Sequence, residues 1–372
     1  MSRRTTALVP LLALALACSD RRAAEDAALR VAAGSPGVAE GAGSPPQTQD
    51  RAAATAGSNP SGAARTAAVQ TAASPADAAR LPNELGRIPV LEYHLLGEPG
   101  SHWKVERRRF RENLALLYER GYRPVNMTDV LDKKLDLPAG LSPVVIVFDD
   151  ASPSQFSYLE KDGKLEVDPN SGVGMLLDMN RRHADWGKKA VFCMLPAAQQ
   201  GHAFFGEKGI AGQKSEWRFQ KVRFLHEQGF ELCNHTLYHA NLGKQTDAKA
   251  QEFIARGDMA IDSAVPGYKV RTFALPLGVW PKNRPTAWTG SWQDPKSKRI
   301  VRYQYDAVLE VAGGPTRSPH DPQFDPRHVT RIEVFATELE KVLDRLDKTG
   351  TRYVSDGNPA TVARPTSTVA VR

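Results

Sequence analysis

Three short clusters in this 372-residue sequence combine residue types that do chemistry. Asp149 and Asp150 are adjacent carboxylates placed directly after the apolar, β-branched run Val144-Val145-Ile146-Val147-Phe148. His235 and His239 stand four apart in Asn234-His235-Thr236-Leu237-Tyr238-His239, just beyond the apolar stretch Phe230–Cys233. Imidazoles at that spacing reach one ion from one side of a helical turn. With an aspartate they form a three-ligand site that leaves positions open for water, as catalytic zinc and related divalent metals require. The third cluster, Phe273-Ala274-Leu275-Pro276-Leu277-Gly278, ends a strand in a turn where Pro and Gly fix the backbone so that an amide can face a crevice. Taken singly, each has a plainer reading: solvated loop aspartates or a helix N-cap, two surface histidines, a simple turn.

What must position these residues is a set of alternating elements. Ile88–Tyr93, Val144–Phe148, Lys189–Leu195, Phe230–Cys233, Val270–Leu275 and Ala307–Glu310 read as strands, with Thr351–Val354 a further short one. Between them, Phe110–Arg120, Lys221–Gln228, Lys249–Ala260 and Val334–Lys348 read as amphipathic helices; Phe110, Leu114 and Leu117 share a face, and Gly121 closes that helix. Buried strands alternating with helices predict a parallel sheet or barrel, whose chemistry gathers at the strand C-termini. The long connection Ala151–His183 reads as a surface insertion that can wall a groove.

The ends of the chain read differently. Arg3 and Arg4 precede the apolar run Ala7–Ala17, which is too short for a membrane span of about 20 residues but suits a signal peptide, residues 1–17. Leu14-Ala15-Leu16-Ala17-Cys18 resembles a bacterial lipobox, so Cys18 is expected to be acylated, with the lipid bilayer as partner; Ser19 favours the outer membrane if the cell is Gram-negative. Residues 18–84, rich in Ala, Gly, Ser and Pro and lacking aromatics before Tyr93, read as a disordered tether, and 358–372 as a flexible tail. That leaves one domain, 85–357. A hydrophobic fraction of 41% excludes a wholly disordered chain, and the absence of long apolar runs excludes a polytopic membrane protein. The net charge of +7 is dispersed, with no basic stripe interleaved with aromatics, so no nucleic acid partner is expected.

Ile88-Pro89-Val90-Leu91-Glu92-Tyr93-His94, Val147-Phe148-Asp149-Asp150, Ala190-Val191-Phe192, the His-Thr-x-x-His segment and Leu275-Pro276-Leu277-Gly278 occur in an order that resembles the polysaccharide deacetylases of carbohydrate esterase family 4. The resemblance implies a distorted (β/α) barrel of about seven parallel strands. It implies one divalent metal ion, zinc first and cobalt, nickel or iron as alternatives, held by Asp150, His235 and His239. Asp149 is then the catalytic base, and Pro276 with the Leu277 backbone N–H forms the oxyanion and substrate-binding corner. The implied activity is removal of N-acetyl or O-acetyl groups from an envelope or extracellular polysaccharide, with an N-acetylated polymer as partner.

Two features depart from the family pattern. Ala274 stands where an arginine usually orients the base, and no late Leu-x-His motif supplies a proton donor, leaving His320 and His328 as candidates and His94 as either a crevice residue or a strand cap. A glycan-binding protein that has lost catalysis, or a hydrolase of another amide or ester, are the alternatives these departures keep open. Trp103, Trp217, Trp280, Trp288 and Trp292 are candidates to stack on sugar rings. Cys193 and Cys233, on strands expected to lie close together, could pair in an exported protein, a matter that geometry decides; buried free thiols are the preferred reading.

Overall fold

The computed structural model describes residues 80–197 and 203–365. The expectations for the signal peptide, Cys18, residues 18–79 of the tether and the last residues of the tail lie outside them. Seven strands, β1 (Val90–Tyr93), β2 (Ser142–Phe148), β3 (Val191–Met194), β4 (Glu231–Asn234), β5 (Thr272–Ala274), β6 (Ala307–Gly313) and β7 (Val329–Glu333), pair in chain order, every pair parallel. β7 pairs with β1, which closes the barrel. A short strand, Tyr122–Pro124, lies outside the ring against the start of β2.

Strand side chains alternate between barrel interior and exterior. The interior set includes Val90, Val145, Val147, Val191, Cys193, Cys233, Ala274, Ala307, Leu309 and Val329, one buried cluster. The same alternation, carried one step toward the strand C-termini, turns Glu92, Asp149, His235 and Arg331 inward. The top layer of the barrel is therefore polar, and the layers beneath it are apolar.

Outside pack α1 (Arg107–Glu119), α2 (Met127–Leu131), α3 (Gly172–Arg182), α4 (Arg218–Glu227), α5 (Asp247–Ala264) and α6 (Glu338–Thr349). α1 buries Phe110, Leu114 and Leu117 as its periodicity requires, and α6 buries Leu339, Val342, Leu343 and Leu346 before Gly350 caps it in the left-handed region. Among the described residues no α-helix lies between β5 and β6 or between β6 and β7. An antiparallel hairpin, Thr289–Gln293 with Ile300–Gln304, occupies the β5–β6 connection, and this is the distortion of the barrel.

Four readings of the sequence change. β7 was not anticipated, and α6 starts at Glu338 rather than Val334. Thr351–Val354 supplies only isolated bridges, to Arg87 and Asn83. The segment from Ala151 contains a hairpin, Tyr158–Lys161 with Lys164–Val167, followed by α3. The buried Lys221 pins that segment from below: its ammonium donates to the carbonyls of Phe156 and Phe205 and to Gln213 Oε1.

The expectation of two free thiols is corrected. Cys193 and Cys233 are register partners on adjacent strands, with Cα atoms 4.1 Å apart, and form a disulfide inside the barrel. Hydrogen-bonded order also extends past 85–357: Asn83 N–H donates to Val354 O (2.8 Å), and Glu84 exchanges bonds with Ala363.

Candidate active site

Each strand that ends in a chemical residue turns abruptly there. Asp150 and Ala151 after β2, Thr236 and His239 after β4, and Leu277 after β5 all have left-handed φ, between +50° and +78°. Non-glycine residues rarely adopt this conformation, and where they do the surrounding structure must hold them. After β4 the holder is Asn234. Its Oδ1 accepts the Thr236 N–H (2.8 Å), while its Nδ2 donates to Ile254 O and Asp258 Oδ1, each at 2.8 Å. Gly257 leaves room for this amide, since a Cβ there would meet Asn234 Oδ1 at 2.2 Å. After β2 the holder is Gln155, fully buried, whose amide donates to the backbone carbonyls of His94 and Asp149.

These turns bring Asp150, His235 and His239 together, with one donor atom from each lying within 4.8 Å of the others. Asp150 Oδ1 is 3.4 Å from His235 Nε2 and 3.6 Å from His239 Nε2. His235 Nδ1 pairs with the Ala274 carbonyl at 2.9 Å, which turns Nε2 toward the cavity. His235 Nε2 is buried and satisfied by no hydrogen bond. Such an atom is costly unless a ligand takes it, and the donor set of one carboxylate and two imidazoles fits a zinc-like divalent ion. Burial and the neighbouring His235 push His239 down to about 4, so its ring is a neutral donor at physiological pH. Burial opposes charge on Asp150, but His235 and His239 outweigh it and hold the carboxyl well below the usual range.

Asp149 is buried beside this cluster, its Oδ2 3.9 Å from His235 Nε2. Burial alone would raise its pKa; the Arg331 guanidinium, with His235 and His94, reverses this and keeps it ionised. Arg331 Nη1 lies 2.9 Å from both Asp149 oxygens, Nη2 lies 3.2 Å from Glu92 Oε1, and Nε donates to Glu310 O. The guanidinium that holds Asp149 thus comes from β7, while position 274 carries alanine. Glu92 has no exposure, and burial raises its carboxyl well above the ordinary range, against the pull of Arg331.

A cavity of about 650 Å³ opens over these groups, and its lining includes His94, Trp103, Tyr238 and Leu277. Leu277 follows Pro276 at the start of a short 3₁₀ turn, so its N–H is a first-turn amide with no acceptor inside the turn. His94 Nε2 lies 3.4 Å from Glu92 Oε1, and burial lowers the pKa of the ring against the opposing pull of Asp149 and Asp150. His320 and His328 do not line the cavity. His320 sits in the loop after Ser318, and His328 pairs with Glu310 (2.9 Å) and packs on Trp280. Of the tryptophan candidates, Trp103 alone lines the cavity among the described residues; Trp217 is buried, and Trp280, Trp288 and Trp292 pack against the core. The reading of residues missed Arg331 and Glu92. The signals were a β-branched run, Val329-Thr330-Arg331-Ile332-Glu333-Val334, and a carboxylate in the middle of an otherwise apolar strand.

Comparison with known proteins gives a family and several distant shapes. The family model for polysaccharide deacetylases matches residues 187–288, a segment that holds β3 to β5 with His235, His239, Pro276 and Leu277 but not the Asp149-Asp150 pair. No curated protein sequence matches. Among solved structures, a deacetylase from Streptococcus pyogenes in complex with acetate is 15% identical, over 69% of this chain and 97% of that one, with a TM-score of 0.48. IcaB from Ammonifex degensii is 19% identical over 70% and 96% (TM-score 0.46), and a polysaccharide deacetylase from Bacillus cereus 16% identical over 69% and 68% (TM-score 0.47).

Proposed function

We propose that this chain, whose residues 187–288 match the polysaccharide deacetylase family model, is a metal-dependent hydrolase that removes acetyl groups from an N-acetylated polysaccharide of the cell envelope. The observation that carries the reading is the buried Asp149 carboxylate, held by Arg331 at 2.9 Å directly beside a three-donor metal site. A pure binding protein has no need of a buried base held charged at such cost.

Asp150, His235 and His239 would hold the divalent ion, which when bound polarises the acetyl carbonyl and lowers the pKa of water. Asp149 takes the proton from the attacking water, and Arg331 both orients the carboxylate and keeps it ionised. The Leu277 N–H donates to the developing oxyanion, a role that needs no particular side chain at that position. His94 supports protonation of the leaving nitrogen. Among the described residues it is the one histidine lining the cavity besides the two metal donors, and the high-pKa carboxyl of Glu92 stands beside it. Export and acylation at Cys18 would carry the domain to its polymer on the membrane surface, and zinc is the metal of first choice.

The test is metal content by mass spectrometry on the parent chain and on His235→Ala and His239→Ala, with acetate release from N-acetylglucosamine oligomers measured on the same samples. We expect near-stoichiometric metal and acetate release in the parent, and loss of both in the variants. Equal trace metal in all three after supplementation would overturn the ligand assignment.

A further inference from the structure

The rim of the cavity carries a ring that neither the barrel nor the hydrolysis requires. Trp103 is 50% exposed although it lines the site. It is held firmly nonetheless. Its carbonyl accepts the Leu95 N–H (3.0 Å), and its indole is met nearly edge-on by His94 at 4.9 Å and by His102 at 4.4 Å. His102 is itself fixed, packed on Phe335 and 3.3 Å from Glu333. A locked aromatic with uncovered surface is a preorganised contact, since little side-chain freedom remains to be lost on binding. Another wall of the cavity carries Leu277, 55% exposed. Two of the six large hydrophobic side chains exposed among the described residues therefore line one cavity.

The surface does not end at the indole. Residues 101, 102 and 104, on either side of Trp103, line a second depression of about 700 Å³, together with Glu106, Arg108 and Glu112. An apolar platform between a catalytic cavity and a depression rich in hydrogen-bonding groups matches a pyranose chain, whose rings have apolar C–H faces and polar edges.

We propose that Trp103 is the platform for a second sugar ring. The substrate is then a chain of at least two linked N-acetylhexosamine units, running from the cavity over the indole into the adjoining depression. This rests on the deacetylase reading above.

The experiment compares the full-length parent, Trp103→Ala and Trp103→Phe on N-acetylglucosamine oligomers of one to five units and on 4-nitrophenyl acetate, which is too small to span the rim. Metal content of each protein confirms a loaded fold. In the parent, kcat/KM should rise with oligomer length. In Trp103→Ala the ratio of pentamer to aryl-acetate kcat/KM should fall about tenfold, mainly through KM, and Trp103→Phe should recover most of it. A parent without length dependence, an unchanged ratio in Trp103→Ala, or hydrolysis of the aryl ester with no oligomer turned over would overturn the platform and leave the hydrolase reading standing. If neither substrate is turned over, the hydrolase reading fails, and calorimetric binding of the pentamer decides separately. Weaker binding to Trp103→Ala supports the platform, and equal or absent binding ends it.

Discussion

Arg331→Met removes the guanidinium that bridges Asp149 and Glu92 while keeping a long apolar side chain in its place. Both carboxylates are buried with essentially no exposure, so water replaces the lost partner poorly. With about 4 Å between charge centres and an effective dielectric near 20, the Asp149–Arg331 attraction is about 4 kcal/mol. Removing one member of a buried pair costs roughly 3–5 kcal/mol in practice. With a urea m-value of about 3 kcal/mol/M, the unfolding midpoint should fall by more than about 1 M. Glu92→Gln is the control: burial already biases that carboxyl toward its neutral form, so its midpoint should stay within about 0.3 M of the parent. The pH dependence has a definite sign. In the parent the Asp149 pKa is depressed, so the stability it brings is present above its unfolded value of about 3.9 and is lost as pH falls through the folded value. Without Arg331, burial dominates and raises the pKa, so the variant loses stability as pH rises above about 4. The deficit of Arg331→Met should therefore be large at neutral pH and shrink toward pH ~4. Equal midpoints at neutral pH, or a deficit that does not shrink with acid, would refute the buried pair.

Other expectations follow from the same interior. Cys193→Ser/Cys233→Ser opens a loop with a sequence separation of 40, and the loop-entropy relation puts the loss near ~4 kcal/mol, read as a lower urea midpoint matched by reduction of the parent. Burial drives Lys221 down to about 7, so the unfolded chain binds the extra proton between there and its ordinary value near 10.4. The parent should gain stability as pH rises from 7 to 9, and Lys221→Met should abolish that gain, as thermal melts at the two pH values would show. His94→Ala should lower kcat on N-acetyl oligomers by about 10²–10⁴ and on an aryl acetate far less, because a phenolate leaves without a proton. Equal losses on both substrates would remove His94 from the role of proton donor.

The fold and the first donors were legible because they obey simple rules. Val144–Phe148 is a continuous apolar run that can only be a buried strand, and the residues just beyond it, Asp149 and Asp150, fall where parallel barrels place chemistry. His235 and His239 were visible by spacing. Arg331 and Glu92 were hidden by the same logic, since a charged side chain inside a strand argues against burial until its partner is known. Val329–Glu333 carries two charges in five residues and was not assigned to a strand, and the arginine that pairs with Asp149 was lost with it. The disulfide was hidden because only register, which pairs Cys193 with Cys233, decides it. His94 depended likewise on a contact, here with Trp103 in the same connection between β1 and α1.

The order in which the chain supplies its parts has a consequence for how the protein comes to life. Asp150, His235 and His239 lie on the ends of β2 and β4, but the guanidinium that holds Asp149 comes from a strand 182 positions further along the chain. That strand is also the last stave of the barrel, wedged between β6 and the first strand. A chain caught before β7 inserts would own Asp150, His235 and His239 yet lack the guanidinium that pairs with Asp149. Closure of the barrel and the pairing of Asp149 therefore depend on one and the same strand.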